Sequence, residues 1–258
     1  MKKILPVLLA MILAFSLASC SAKESSAQLA DEQTAAQINA ALLSGYPQDA
    51  LPLYQPKALV SCGFSFRENG VYDIGKDIYS IIYESTADQQ SLIKYYGGLL
   101  TEQSESPVLE GDVITDQLSG TIGGYKVDLM FLENSDSTTA VYLTLGLPAD
   151  DYVDANPYFS GYPADLVDQY GVSEMQEITY QQQYYGSKTS HYITIYRTSL
   201  AEPDYAAHYK DAYSGKQGFA QSESDAYAFS WQDGAYNVSV RYTGGYAPYI
   251  TIDVSKAG

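Results

Sequence analysis

"LLSGYPQDALPLY", Leu42 to Tyr54, and "YFSGYPADLVDQY", Tyr158 to Tyr170, share the run Ser-Gly-Tyr-Pro, a downstream Asp and a closing Tyr. Proline fixes φ and glycine tolerates tight backbone, so each stretch reads as a corner in the chain. A corner met twice predicts that the same point of a fold is met twice. Two further matches follow in the same order. "GYKVDLMF", Gly124 to Phe131, alternates Tyr125, Val127, Leu129 and Phe131, and "AYNVSVRY", Ala235 to Tyr242, alternates Tyr236, Val238, Val240 and Tyr242. "YLTLGL", Tyr142 to Leu147, corresponds to "YITIDV", Tyr249 to Val254. The expectation is a tandem duplication with units of about a hundred residues each.

Within a unit the hydrophobic period changes in a fixed sequence. "KALVSCGFSF" and "KDIYSIIYES" are dense in β-branched and aromatic residues and read as strands joined by a turn in "RENG", Arg67 to Gly70. "DQQSLIKYYGGLLTE" then places Leu92, Tyr96, Leu99 and Leu100 on one helical face, with Asp88 as N-cap. Gly97 and Gly98 weaken that helix by about 1 kcal/mol each if they lie in its interior. Strands in "SGTIGG", "YKVDLMFLE" and "TAVYLTLGL" follow, the last two separated by a turn at Asn134 to Asp136.

The second unit offers "EITYQQQYYG", "HYITIYRTSL", a helix in "EPDYAAHYKDAYS", then "DAYAFSWQ", "YNVSVRYTG" and "PYITIDVS". Pro203 suits a first helical turn, and Tyr205, Tyr209 and Tyr213 form a stripe at helical spacing. The predicted fold class is therefore α+β: two tandem repeats of order ββαβββ, each an antiparallel sheet with one covering helix. In this reading residues 42–148 form repeat domain 1 and 149–258 repeat domain 2, and Tyr46 or Tyr162 packs inward while Pro47 or Pro163 sets the turn.

The first nineteen residues, "MKKILPVLLAMILAFSLAS", carry Lys2 and Lys3, an uncharged apolar run from Ile4 to Leu17 and then small residues, the pattern of a secretory signal peptide. The run is shorter than the roughly 20 apolar residues of a spanning helix. "LASC", Leu17 to Cys20, resembles the lipobox of bacterial lipoproteins. The resemblance implies cleavage before Cys20 and a diacylglyceryl anchor on its thiol, so the chain is expected at the cell membrane, lipid-anchored on the extracytoplasmic face. Ser21 stands where the inner-membrane-retention Asp of Gram-negative lipoproteins would be. Residues 20–41, rich in Ser, Ala and Gln, read as a tether with a helical turn or two near Asp31 to Leu43. The ββαβββ unit opened by a Tyr-Pro-x-Asp corner also resembles the small repeat domains of bacterial surface lipoproteins, which brings no activity with it.

Composition narrows the function classes. The 258-residue chain has 46% hydrophobic and 17% charged residues, which predicts packed cores rather than disorder. Its formal charge is −17, and about −19 without the two leader lysines, so it repels phosphate backbones and nucleic acid is not an expected partner. Once Cys20 is lipidated, Cys62 is the remaining thiol; it lies in the apolar run "ALVSCGFSF" and reads as a small buried hydrophobe.

No catalytic pattern stands out. His191 and His208 are the two imidazoles, and neither has a motif partner; there is no G-x-S-x-G elbow, no H-E-x-x-H and no paired-Cys spacing, so no cofactor or metal is expected. "PADDYVDANP" groups Asp150, Asp151 and Asp154 without the calcium-loop spacing and reads as a solvated linker. With 31 acidic residues, proximity of two carboxylates alone carries no signal for glycoside hydrolysis. Tyrosine is abundant at 26, and "YQQQYYG", Tyr180 to Gly186, mixes rings and amides as a sugar or peptide site would, although tyrosine also serves as an ordinary strand residue. The expectation is a membrane-anchored, non-catalytic binding or interaction module with a protein or cell-wall ligand. The alternatives are an extracytoplasmic enzyme on wall carbohydrate using a carboxylate pair, and a structural spacer.

Overall fold

The computed structural model describes residues 33–66, 77–110, 113–134, 136–146, 158–182 and 189–256. Cys20, the leader and most of the tether lie outside the described residues, as do the "RENG" turn, Asp150, Asp151, Asp154 and the end of "YQQQYYG". The chain runs through helix α1 (Ala35–Ala41), strands β1 (Pro56–Phe66) and β2 (Asp77–Ser85), and helix α2 (Gln89–Leu99). Strands β3 (Thr101–Glu110), β4 (Val113–Ile122), β5 (Tyr125–Glu133) and β6 (Thr139–Gly146) follow. After a short 3-10 turn at Ala164–Leu166 come β7 (Val172–Gln181), β8 (His191–Thr198) and helix α3 (Glu202–Tyr213). The chain ends in β9 (Gln217–Gln221), β10 (Ala228–Asp233), β11 (Tyr236–Thr243) and β12 (Tyr249–Lys256).

All twelve strands of the described residues belong to one antiparallel sheet, in the order β3-β4-β5-β6-β2-β1-β7-β8-β12-β11-β10-β9. This corrects the expected fold class. The described residues are dominated by a single large sheet with three helices of 7, 11 and 12 residues, not an α+β pair of repeats each with its own sheet. The sheet is continuous because β1 and β7, which lie at the inner ends of the two sets of six strands, pair with each other from Ser61–Gln181 to Ser65–Glu177. Left apart, each strand would expose a row of unpaired N–H and C=O groups beside an apolar face; joined, the groups along the paired stretch are satisfied.

The ββαβββ order is corrected too, since four strands rather than three follow both α2 and α3. The extra ones, β3 "TEQSESPVLE" and β9 "QGFAQ", occupy the two outer edges of the sheet. Edge strands pair on one side only and bury little, so neither shows the apolar alternation that marks the interior strands. Glu102, Glu105 and Pro107 on β3 and the five-residue length of β9 are features that discourage further pairing at a sheet edge.

Register places one row of side chains on one face across ten strands: Leu118, Leu129, Leu143, Ile81, Cys62, Tyr180, Tyr192, Val254, Val238 and Trp231. Helices α2 and α3 cover this face. Asp88 caps α2 by accepting from the Ser91 amide at 2.8 Å. Gly97 and Gly98 fall in its last turn, where the Gln103 amide donates to the Gly97 carbonyl and, at 2.6 Å, to the Leu100 carbonyl. Helix α3 has Pro203, Glu202 and Asp204 in its first turn and Lys210 in its last, which suits the helix dipole. Its stripe of Tyr205, Tyr209 and Tyr213 is buried; Tyr213 stacks on Trp231 with centroids 4.1 Å apart, and Tyr205 meets Phe229 and Tyr242. Helix α1 lies in the stretch read as the end of the tether, with a Thr34 capping box, and buries Ile38 and Ala41 in the main core.

Helix tyrosines bind the segments downstream of both corners. The Tyr96 hydroxyl lies 2.7 Å from that of Tyr83, donates to the Pro52 carbonyl at 3.1 Å and accepts from the Tyr54 amide at 3.2 Å. In the other half Tyr209 donates to the Asp168 carbonyl at 3.0 Å, while the Tyr213 hydroxyl accepts from the Asp168 amide at 2.6 Å. Burial pushes the Tyr96 phenol up to about 12, so it remains a donor across physiological pH. Among the described residues no helix is long and apolar enough to cross a membrane.

Candidate functional site

The two Ser-Gly-Tyr-Pro corners lie side by side. Leu43 and Phe159 form an antiparallel bridge outside the main strands. The Ser44 amide donates to the Tyr158 carbonyl at 2.9 Å, the Tyr158 amide donates to Ser44 Oγ at 2.9 Å, and Ser160 Oγ donates to the Ala40 carbonyl at 3.0 Å. The pairing of β1 with β7 explains the proximity, because each corner precedes one of these strands and packs beside it.

The glycines of the corners answer to tyrosine hydroxyls. Gly45 has φ +84°, and a Cβ added there would come within 2.8 Å of Tyr79 Oη; at Gly161 the same construction meets Tyr192 Oη at 2.8 Å. Tyr79 and Tyr192 belong to the second strand of each half, so a β2 or β8 ring supports each corner from below. Tyr46 is buried, with its hydroxyl donating to the Leu51 carbonyl at 2.6 Å and its ring edge-on to Tyr79 at 6.1 Å. Desolvation raises the Tyr46 phenol well above its ordinary range. Tyr162 is half-buried against Tyr192 at 5.8 Å, and burial raises it to about 12. The Pro47 carbonyl accepts from Ala50 and Leu51, and the Pro163 carbonyl from Leu166, so both prolines open a tight turn. Tyr46 thus packs inward as its sequence suggested, and Tyr162 does so in part.

Between the corners lies an open cavity of about 300 Å³, lined by Asn39, Leu42, Leu43, Ser44, Gly45, Tyr46, Gln48, Tyr158 and Ser160. The Gln48 amide donates to Asn39 Oδ1 at 3.2 Å. The Tyr158 side chain stands 60% exposed on the rim, in contrast to the fully buried Tyr79, Tyr83, Tyr96, Tyr205 and Tyr209. An apolar floor, amides, hydroxyls and a free aromatic face give this groove the chemistry of a site for an uncharged polar ligand.

The other candidate residues lie elsewhere and take structural partners. Cys62 is fully buried, and burial pushes its thiol up to about 12, so it is an inert core residue at neutral pH. His191 Nδ1 is 2.8 Å from Asp253 Oδ1, which ties β8 to β12, and its Nε2 is 3.5 Å from Thr189 Oγ1. This Thr-His-Asp line has the order of a hydrolytic triad, but none of the three lines the groove. His208 stacks on Tyr170 at 3.7 Å and approaches Asp168 at 3.3 Å, closing the second corner against α3. Lys57 bridges Glu84 at 3.5 Å and Asp136 at 3.0 Å, which holds these two carboxylates in an ion pair rather than as a free acid and base. Among the described residues no group of three or more His, Cys, Asp or Glu side chains gathers to hold a metal ion.

Sequence reasoning missed the groove. Its residues come from two segments far apart in sequence, and only their proximity makes a site. One signal was present: the repeated corners carry an aromatic or apolar pair immediately before Ser-Gly-Tyr-Pro, and only the second begins with tyrosine, Tyr158. Compared with known proteins, the chain matches no protein-family model, no curated protein and no solved structure.

Proposed function

We propose that the chain is a membrane-tethered, extracytoplasmic binding protein that engages its ligand in the groove between the two corners. The lipobox-like "LASC" supports the tether: Cys20 would carry the lipid and hold the acidic body at the membrane surface. The observation that carries the binding reading is the exposed ring of Tyr158 over an uncharged groove; the other exposed tyrosines of the described residues, Tyr170, Tyr246 and Tyr249, do not line it. A rigid ring held at a backbone bridge offers contact area at little cost in side-chain entropy.

Cys20→Ala is expected to move the protein from the membrane fraction to the soluble extracytoplasmic fraction; an unchanged distribution removes the tether from the proposal. For the groove, a photo-crosslinking phenylalanine analogue placed at Tyr158 is expected to trap a discrete adduct in intact cells. The same analogue at Tyr246, fully exposed in the β11–β12 loop, serves as the comparison. Indistinguishable adduct patterns at the two positions would contradict a binding role for the groove.

A further inference from the structure

We infer that the ligand of this groove is a neutral saccharide, recognised by stacking of one sugar ring on Tyr158 and by hydrogen bonds from the Asn39–Gln48 amide pair. The inference rests on the proposal that the groove is a binding site and adds the chemical class of its ligand. The first observation is charge. None of the nine lining residues carries a charge, although the chain as a whole stands at −17. An anionic ligand would meet a repulsive surface with no basic side chain among those residues, and a cationic one would find no carboxylate there.

The second observation is the inventory of donors and acceptors. Because Gln48 Nε2 donates to Asn39 Oδ1, Asn39 Nδ2 is left to donate and Gln48 Oε1 to accept. A sugar hydroxyl is at once donor and acceptor, so neighbouring hydroxyls on one ring can serve both ends of the amide pair. Main-chain recognition of a peptide needs free backbone groups instead. The Ser44 and Tyr158 amides are already committed to bonds across the corner. The third observation is shape. A pyranose has an apolar C–H face that matches an exposed phenol ring, and Tyr158 presents such a ring beside the apolar floor of Leu42 and Leu43. A cavity of about 300 Å³ is at the lower end of small-molecule sites, suited to one or two sugar rings rather than a protein surface.

The test is titration of the detergent-solubilised full chain with chitotetraose and maltotetraose, read by saturation-transfer NMR of the sugar C–H protons. A polygalacturonate oligomer and an uncharged Ala-Gly peptide are titrated alongside. The expected result is saturable binding of at least one neutral oligosaccharide. Tyr158→Ala should weaken it about tenfold, Asn39→Ala should weaken it as well, and Tyr158→Phe, which keeps the ring, should leave it within about twofold of the parent. Failure of both neutral sugars to saturate, equal binding by Tyr158→Ala, or tighter binding of the anionic oligomer or the peptide would overturn the inference. A discrete adduct at Tyr158 in cells combined with no sugar binding would remove the saccharide and leave the binding role standing. No adduct and no sugar binding would remove both.

Discussion

Tyr96→Ala is expected to lower the stability of the protein by about 3–5 kcal/mol, the range for truncating a large aromatic in a packed core. The ring is fully buried on α2 and stacks toward Phe131 at 6.3 Å, so its removal leaves a void between helix and sheet. Its hydroxyl is also the junction of three hydrogen-bonding contacts, with Tyr83, Pro52 and Tyr54. Tyr96→Phe, which removes only the oxygen, should therefore cost about 1–3 kcal/mol, because buried partners are left without their bond. The informative probe is Trp231. It is the only tryptophan in the chain and lies on β10, near the opposite end of the sheet. In urea unfolding followed by its fluorescence, Tyr96→Ala should shift the transition to lower denaturant, since one continuous sheet transmits the loss. A Trp231 transition unchanged by Tyr96→Ala would mean that the two sets of six strands unfold independently.

Much of the local structure was legible in the sequence because local physics decides it. Asp88 and Pro203 mark helix starts by mechanisms that do not depend on the rest of the fold. The alternation in "YNVSVRYT" appears directly in the burial of Val238, Val240 and Tyr242 on one face of β11. The doubled Ser-Gly-Tyr-Pro stretch pointed to two equivalent corners, and the support of Gly45 by Tyr79 and of Gly161 by Tyr192 gives that repetition a physical basis.

What stayed hidden was non-local. The polar edge strands β3 and β9 leave no periodic apolar signal, because an edge strand is defined by its neighbour and not by its own composition. The pairing of β1 with β7 was equally silent. Its trace is the nearly continuous apolar run around Cys62, which reads simply as a buried strand and does not say which strand it meets. Of the 26 tyrosines, the inward packing of Tyr46 and Tyr162 and the helical stripe of Tyr205, Tyr209 and Tyr213 are legible in the sequence, while tyrosine in the strands reads only as an ordinary strand residue. What the sequence does not show is the hydrogen bonding: several are core side chains whose hydroxyls bond to neighbouring carbonyls, amides or one another, as Tyr46, Tyr83, Tyr96 and Tyr209 do. That inward use leaves Tyr158, Tyr170, Tyr246 and Tyr249 as the exposed rings among the described residues, and of these Tyr158 is the one that lines the groove.

The proposed function depends on one geometric claim: the two corners, far apart in sequence, are held against each other and form the groove. The antiparallel bridge of Leu43 with Phe159 sets Ser44 opposite Tyr158, and the Ser44 amide bonds the Tyr158 carbonyl at 2.9 Å; residues opposite each other in an antiparallel pair have Cβ atoms about 4.5–5.5 Å apart, near the reach of a disulfide. The decisive measurement is therefore oxidative trapping of the Ser44→Cys/Tyr158→Cys double variant in a Cys20→Ala background. Cys62 is the one native thiol left, and its burial, with the thiol raised to about 12, keeps it from competing. Rapid, intramolecular disulfide formation is expected in the folded protein under mild oxidant, with Trp231 fluorescence unchanged. Thiols that stay reduced until the chain is unfolded, or that pair only between molecules, would contradict it.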